Sequence, residues 1–538
     1  MCAINGISWD DLHLVERMCK ANKSRGPDYT RSFVRNGVSL GHNLLAINRD
    51  VKYSIQPRMT PKSMLAFNGE LYDVDAEEIL DTDYLHARLE AEGTKALRGL
   101  NGAFALAWVQ GDILYLARDH FGSKPMYYSL TKQGIIFSST IFAIIEGGVH
   151  PYFSPANIEE FQMGNYWQNG QKTVYSNIHK LAPGQIMKYD VIKQRIIGYD
   201  SCWDDYNIEQ RDFNHFEYRE KVLEGVLRTA RTKERLALLH SGGLDSNLIG
   251  AILGATNTEN FFSATLSYED DPVLDPDPYR AMMDEVDFAM LCTKEYNIEH
   301  LITEMPASQE IIDRYSKRAM EICGSIFEDS YRMVPRLYLL EQVAKRGAKV
   351  VLTGDGGDEI FSGYNKHGDW LNPKVQANPM SISQLRPQDH TVQHHIDRHG
   401  LEDWFPLGVI EGVHPITSQM FIDLLTGCET YLLRSDSFCG AFGMESRNPF
   451  LYQDLAKYVL EIPLKRKLQY ETNLFRGTNK FLIREVFSDI IPDLITKRNG
   501  KVGWSLPYWR KDPAIRKRRM TKDQNMLESI VEDKINER

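Results

Sequence analysis

The chain has 538 residues, 42% of them hydrophobic and 25% charged, with a formal net charge of -10. Its length exceeds a single hydrophobic core, its composition excludes a disordered or fibrous protein, and its acidic balance argues against a general nucleic-acid binder. Seven cysteines without a CxxC pair fit a reducing, cytoplasmic setting, and the absence of a run of about 18 apolar residues leaves no membrane span or membrane partner to expect.

Residues 1–203 read as short strands separated by Gly and Asn turns. Met64 to Phe67 is a strand running into a turn at Asn68-Gly69, and Ala103 to Trp108 turns at Gln110-Gly111-Asp112 into Ile113 to Ala117 as a hairpin. A helix over Asp83 to Glu92 interrupts the strands. The polar, acidic stretch 204–214 is expected to be a linker. From 215 to 510 the rhythm becomes strand, loop, helix. Arg235 to His240 reads as a buried strand, and Leu244, Leu248, Ile249, Ile252 and Leu253 keep helical spacing; Phe261 to Leu266 is a strand, and a helix over Val334 to Arg346 precedes a strand over Ala348 to Thr353. Such alternation predicts a parallel sheet with its ligand site at the carboxyl ends of the strands. Beyond about residue 365 the chain reads as mostly helical, and residues 511–538 as a charged tail forming a solvated helix or fraying. The fold class is α/β, in two domains.

Cys2 directly follows the initiator Met. Removal of that Met places a thiol and a free α-amine on one residue, and an amine titrating near about 8 can take the thiol proton without a histidine. Arg25-Gly26-Pro27-Asp28, Gly41-His42, Asn68-Gly69-Glu70-Leu71-Tyr72 and Arg118 to Pro125 follow in order. Together these motifs resemble the class II glutamine amidotransferase domain, an Ntn-type αββα sandwich. The resemblance implies Cys2 as nucleophile and the Asn68 side chain with the Gly69 N–H as oxyanion hole. It also implies Ile47, Asn68, Glu70 and Asp83 as the glutamine-binding set, the two carboxylates on the α-ammonium. Leu44 stands where the family carries an Arg for the glutamine α-carboxylate, so either Arg49 or Arg58 reaches in or glutamine binds weakly. Thr140 stands where the family often has Glu.

Ser241-Gly242-Gly243-Leu244-Asp245-Ser246 follows a buried strand and opens a helix, the place for a phosphate loop. It lacks the Lys of the GxxxxGK[ST] loop, so transfer of a γ-phosphate is not implied. The carboxylates of Thr353 to Tyr364 need an offsetting cation, for which Mg²⁺ is expected. The two segments resemble the PP-loop and the second signature of the asparagine synthetase family. That resemblance implies ATP contacts from Leu239, Ser241, Gly242, Gly243, Leu244, Asp245, Ser246, Thr265, Thr353 and Gly354, and Mg²⁺ ligation by Asp245 and Asp358. Asp355, where many members have Glu, would be a base or guide for ammonia, and Lys480 in Asn479 to Arg484 would neutralise departing pyrophosphate. Glu445 to Leu451 matches a further family stretch, with Tyr452 in place of its usual Asp, and Lys497 to Trp504 resembles the closing basic segment. His395 and His399 have zinc-ligand spacing but no convincing partner, so residues 365–405 read as a solvated loop or lid.

The resemblance as a whole implies a ligase that releases ammonia from glutamine, passes it through an interior tunnel, and amidates a carboxylate activated by ATP. Aspartate, through an acyl-adenylate with release of AMP and pyrophosphate, is the leading acceptor. Another carboxylate, a mainly ammonia-dependent enzyme, or a non-catalytic scaffold are the alternatives. Dimerisation is common in the family, although no exposed motif here demands a homodimer.

Overall fold

A computed structural model describes residues 2–162, 170–268, 285–306, 308–326, 330–364, 367, 404–468, 479–498 and 513–537. His390, His394, His395 and His399 lie outside the described residues. So does the part of the closing basic segment beyond Arg498.

The amino-terminal half stacks two six-stranded sheets. One runs, edge to edge, His179–Lys180, Tyr127–Leu130, Ile135–Ser138, Ala3–Ile7, Val38–Leu44, Tyr29–Arg35; the other runs Arg195–Ser201, Gln185–Asp190, Ile113–Arg118, Gly102–Gln110, Ser63–Leu71, Arg58–Met59. Strand residues alternate between faces, and here both faces are buried. Met64 and Ala66 point between the sheets to meet Ile4, Leu40 and Phe137, while Leu65 and Phe67 point outward to Leu85 and Leu89 of the helix Asp81–Glu92. The helices Leu12–Ala21 and Ile141–Glu146 cover the other sheet through Val15, Met18 and Ile145. This is the expected αββα sandwich. Thr140 has a local use: it caps the helix Ile141–Glu146 and donates to Asn22 Oδ1 at 2.7 Å.

The second half is built on a five-stranded parallel sheet ordered Glu299–Met305, Phe261–Tyr268, Leu236–Leu239, Val350–Leu352, Glu445–Arg447. From Leu236–Leu239 the chain steps outward through Phe261–Tyr268 to Glu299–Met305, then crosses back to Val350–Leu352 and Glu445–Arg447 on the other side, so the strand order reverses between Leu236–Leu239 and Val350–Leu352. That switch opens a crevice at the carboxyl ends of Leu236–Leu239 and Val350–Leu352. The edge strand Glu445–Arg447 was not foreseen, because three residues with two charges carry no apolar pattern. Residues 204–214 contain no helix or strand, yet they are docked: Ile208 is buried, its N–H donates to Val409 O at 3.3 Å, and Arg211 pairs with Glu461 at 2.6 Å. The tail forms a helix, one of the two expected outcomes, but it is not solvated all round. Pro513–Asn536 is a helix whose Leu527, Ile530 and Val531 are buried with Ile312 and Ala319 in the core, so its charges mask an apolar stripe.

Buried ion pairs lock the two halves together. Glu429 takes Arg118 at 2.9 Å and Lys180 at 2.5 Å, and Asp436 takes Arg25 at 2.7 Å. Both acids lie on the helix Glu429–Ala441, seven residues and so about two turns apart, which puts them on one face. Among the described residues, no helix is long and apolar enough to cross a membrane.

Candidate active sites

Cys2 precedes the strand Ala3–Ile7, and its thiol donates to Leu45 O at 3.9 Å. Burial pushes the thiol up to about 11 against the lowering pull of the terminal ammonium and the Leu45 contact, and Glu445 and Asp81 raise it further. Asn68 and Gly69 do not form a turn. They lie inside the strand Ser63–Leu71, opposite Ala105 and Phe104, because the ladder continues to Leu71. Gly69 is needed there: a Cβ would stand 2.1 Å from Ala103 O. Asn68 is 0% exposed, yet neither its Nδ2 nor its Oδ1 has a hydrogen-bond partner. Leaving a buried amide group unpaired costs about 1 to 3 kcal/mol, and a bound oxyanion would relieve that cost at the Nδ2 donor.

Glu70 Oε1 accepts from Asn48 Nδ2 at 2.6 Å, and Arg447 Nη2 lies 3.4 Å from its Oε2. Burial pushes this carboxyl up to about 8, opposed by Arg447 and reinforced by Asp81 and Glu445. Asp83 is not brought into the pocket. Its half-exposed carboxylate pairs with Arg58 Nε at 2.9 Å, whereas Asp81 is half-buried and acts electrostatically on Cys2 and Glu70. Two positions on a helix point about 200° apart, so only one of the pair can face Cys2. Arg49 and Arg58 do not substitute for Leu44 either. Arg49 donates to Ala76 O and Glu77 O, and Arg58 is held by Asp83 and Tyr53 O. Leu44 is buried opposite Tyr29, and Ile47 is half-buried between the two main cores.

At the sheet crevice, Leu239 ends its strand and Gly242 adopts φ +72, where a Cβ would meet Glu285 O at 2.2 Å. Gly243 begins the helix Leu244–Ala255 without a side-chain cap, which suits an anion at the helix start. Asn247 Nδ2 pins the loop by donating to Gly242 O at 2.8 Å and Gly243 O at 3.0 Å, and the Ser241 and Ser246 hydroxyls lie 3.2 Å apart. Gly354 lets the second loop touch the first, since a Cβ there would be 3.1 Å from that of Asp245. Thr265 is otherwise engaged: its buried hydroxyl donates to His240 O at 2.5 Å and supports the loop from beneath.

Lys480 Nζ contacts Asp245 Oδ2 and lies 2.5 Å from Asp358 Oδ1. Its backbone is left-handed at φ +57, a conformation costly for a non-glycine residue, and Asn479 holds the turn by donating to Gly363 O at 2.9 Å. Asp245 Oδ1 is buried and has no hydrogen-bond partner. Two carboxylates, one with an unused oxygen, fit Mg²⁺, which takes few protein ligands beside phosphate and water. Among the described residues, no group of three or more His, Cys, Asp or Glu is placed to hold a metal.

Asp355 does not have the environment of a base. Arg336 Nη2 contacts both of its oxygens at 2.9 Å, and Thr353 and Ser435 donate at 2.7 and 3.2 Å. Burial would raise the carboxyl, but these contacts prevail and hold it below its ordinary value. Thr353 also accepts from Asn448 Nδ2 at 2.8 Å, so its hydroxyl organises this network.

A family model described as asparagine synthase matches residues 217–533, more than half of the chain, and one described as glutamine amidotransferase domain matches residues 1–199. The chain belongs to the asparagine synthase family. Members among the curated proteins include a putative asparagine synthetase (glutamine-hydrolyzing) 2 from Methanocaldococcus jannaschii, 26% identical over 68% of this chain and 76% of its own length. Asparagine synthetase (glutamine-hydrolyzing) 1 of Bacillus subtilis is 22% identical over 94% of this chain and 85% of its own. A Gibberella zeae protein named amidase chry2 is 24% identical over 93% and 86%. As a member of the asparagine synthase family, the chain is a ligase for glutamine-dependent amidation with ATP as co-substrate.

Within that family frame, the geometry adds positions that motif reading missed. Asp81 sits two residues before the Asp83 chosen from sequence, and only the helix phase separates them. Arg336 carried no motif of its own, and Arg498, inside the closing basic segment, had no role assigned to it. Arg336 holds Asp355, and Arg498 pairs with Glu285 at 2.7 Å beside the Gly242 carbonyl.

Proposed function

We propose that the chain converts aspartate to asparagine, using ammonia released from glutamine at Cys2 and an acyl-adenylate formed at the sheet crevice. The observation that carries the reading is Lys480 set between Asp245 and Asp358, at the loops that follow the two central parallel strands.

In the first half, once Met1 is removed, the Cys2 α-amine takes the thiol proton. Sγ bonds to the side-chain carbonyl carbon of glutamine while Asn68 Nδ2 and the Gly69 N–H hold the oxyanion. The C–N bond breaks, ammonia leaves with the proton, and water cleaves the thioester to glutamate and a restored thiol. Glu70 and Asp81 receive the α-ammonium.

In the second half, Ser241 to Ser246 cradle the phosphates and an acceptor carboxylate oxygen bonds to the α-phosphorus. Mg²⁺, held by Asp245 and Asp358, would supply positive charge to the departing pyrophosphate. Lys480 adds its own charge there, and Arg336 and Asp355 shape the entry for ammonia, which bonds to the acyl carbon as AMP leaves. The Gibberella zeae relative named an amidase favours a second reading, in which the acceptor is a carboxylate other than aspartate. Incubation with Mg²⁺-ATP, glutamine or ammonium, and a panel of carboxylic acids separates the two. Aspartate-dependent AMP is expected, and AMP formed only with another acid would establish the second reading.

A further inference from the structure

The surroundings of Cys2 are unbalanced in charge. Glu70, Asp81 and Glu445 all act electrostatically on one another or on the thiol. The cations nearby are already committed. Arg447 donates to Glu445 at 2.8 Å and to Thr229 O and Arg231 O at 3.2 and 2.8 Å, and it also reaches Glu70. Arg25 is ion-paired with Asp436 at 2.7 Å and donates to Cys2 O at 3.3 Å, while its one nitrogen without a hydrogen bond, Nη1, is turned against Gly440; Lys124 is taken by Ser446 O at 3.0 Å and Asp436 at 3.5 Å. His42 bonds Phe67 O at 3.0 Å, and burial lowers it to about 4, so at neutral pH it carries no charge. Leu44, on the neighbouring strand, is apolar and buried, and both outer arginines point to other partners.

Among the described residues, then, this pocket offers carboxylates to an ammonium and no uncommitted guanidinium or ammonium to a carboxylate. The orphaned Asn68 amide independently marks where the reacting carbonyl oxygen lies. We propose that the Cys2 site recognises its amide donor through the α-ammonium and does not require a free α-carboxylate, so that it accepts glutamine derivatives capped at that carboxyl, including an amino-terminal glutaminyl residue. This rests on the glutaminase reading above. At neutral pH, where burial keeps Glu70 largely protonated, Asp81 still carries a negative charge, which attracts a donor of net charge +1 more strongly than the zwitterion, whose carboxylate it repels.

The test compares ammonia release by the full chain from L-glutamine, from L-glutamine α-(N-methylamide), whose only source of ammonia is the side-chain amide, and from N-acetyl-L-glutamine, with Cys2→Ala as blank. The proposal expects kcat/KM for the methylamide to equal or exceed that for glutamine within about tenfold, and N-acetylglutamine to fall at least 100-fold below both. A methylamide more than tenfold worse than glutamine, or N-acetylglutamine cleaved as well as glutamine, overturns it while leaving the glutaminase intact. Release above the blank from none of the three removes the glutaminase reading and the inference together.

Discussion

Arg447 Nη2 lies 3.4 Å from Glu70 Oε2, so an edge strand of the parallel sheet supplies a wall of the Cys2 pocket. The two catalytic halves are thereby joined at a charged group buried from solvent. Removing the guanidinium leaves Glu445 and Glu70 facing each other without it. Arg447→Met should cost about 3 to 5 kcal/mol, as for breaking one side of a buried ion pair, and the shift in the urea midpoint measures it. A change under about 1 kcal/mol would show that the carboxylates are held by something else.

In the chain that retains Met1, the thiol of Cys2 should be slow to alkylate at neutral pH. Its protonated form is favoured by burial, with a value near about 11, so the thiolate fraction grows about tenfold per pH unit below that point. Iodoacetamide labelling of the amino-terminal peptide, followed by mass spectrometry from pH 7 to 10, should rise without a plateau. A plateau near pH 8 would place the thiol in a more polar setting than the one described.

Lys480→Met should separate the two chemistries. Loss of a fixed cation from the Asp245 and Asp358 site is expected to lower AMP formation about 100- to 1000-fold with glutamine or ammonium alike. Ammonia release from glutamine at Cys2 should continue. Equal loss of both activities would mean that Lys480 organises the whole chain and not the crevice.

How much was readable in advance follows from where the information sits. The Ser241 to Ser246 loop was legible because glycine, hydroxyl and helix start are adjacent in sequence and act together in space. The hairpin of Gly102–Gln110 and Ile113–Arg118 was legible for the same local reason. Asp81 was missed because its role depends on helix phase relative to a distant strand. The partnership of Asp355 with Arg336 was missed because it joins a loop to a separate helix, and Glu445–Arg447 because a short edge strand is specified by its neighbour rather than by its own apolar pattern.

The tail shows the same limit and yields a stability prediction. Its charges concealed Leu527, which is buried at 1% exposure against the helix Gln309–Cys323 region of the core. Leu527→Ala should destabilise the chain by about 2 to 5 kcal/mol through lost burial and a residual cavity. Thermal or urea unfolding measures it, and an unchanged midpoint would return the helix to the solvated role expected from composition.

Glu70 gives a pH dependence whose sign is fixed by its surroundings. Its folded value, raised by burial to about 8, lies above the ordinary carboxylate value of 4.5. A group raised on folding contributes fully below its unfolded value, and that contribution is lost as pH climbs through the folded value. The native chain should therefore lose stability between about pH 4.5 and 8, as Glu70 is forced to ionise beside Asp81 and Glu445. Glu70→Gln keeps the neutral shape and removes the ionisation. Urea unfolding at pH 5, 7 and 9 should show the variant gaining on the native chain at each step, with the largest difference at pH 9. Parallel stability curves would mean that Glu70 is already ionised at pH 5, with Arg447 outweighing burial.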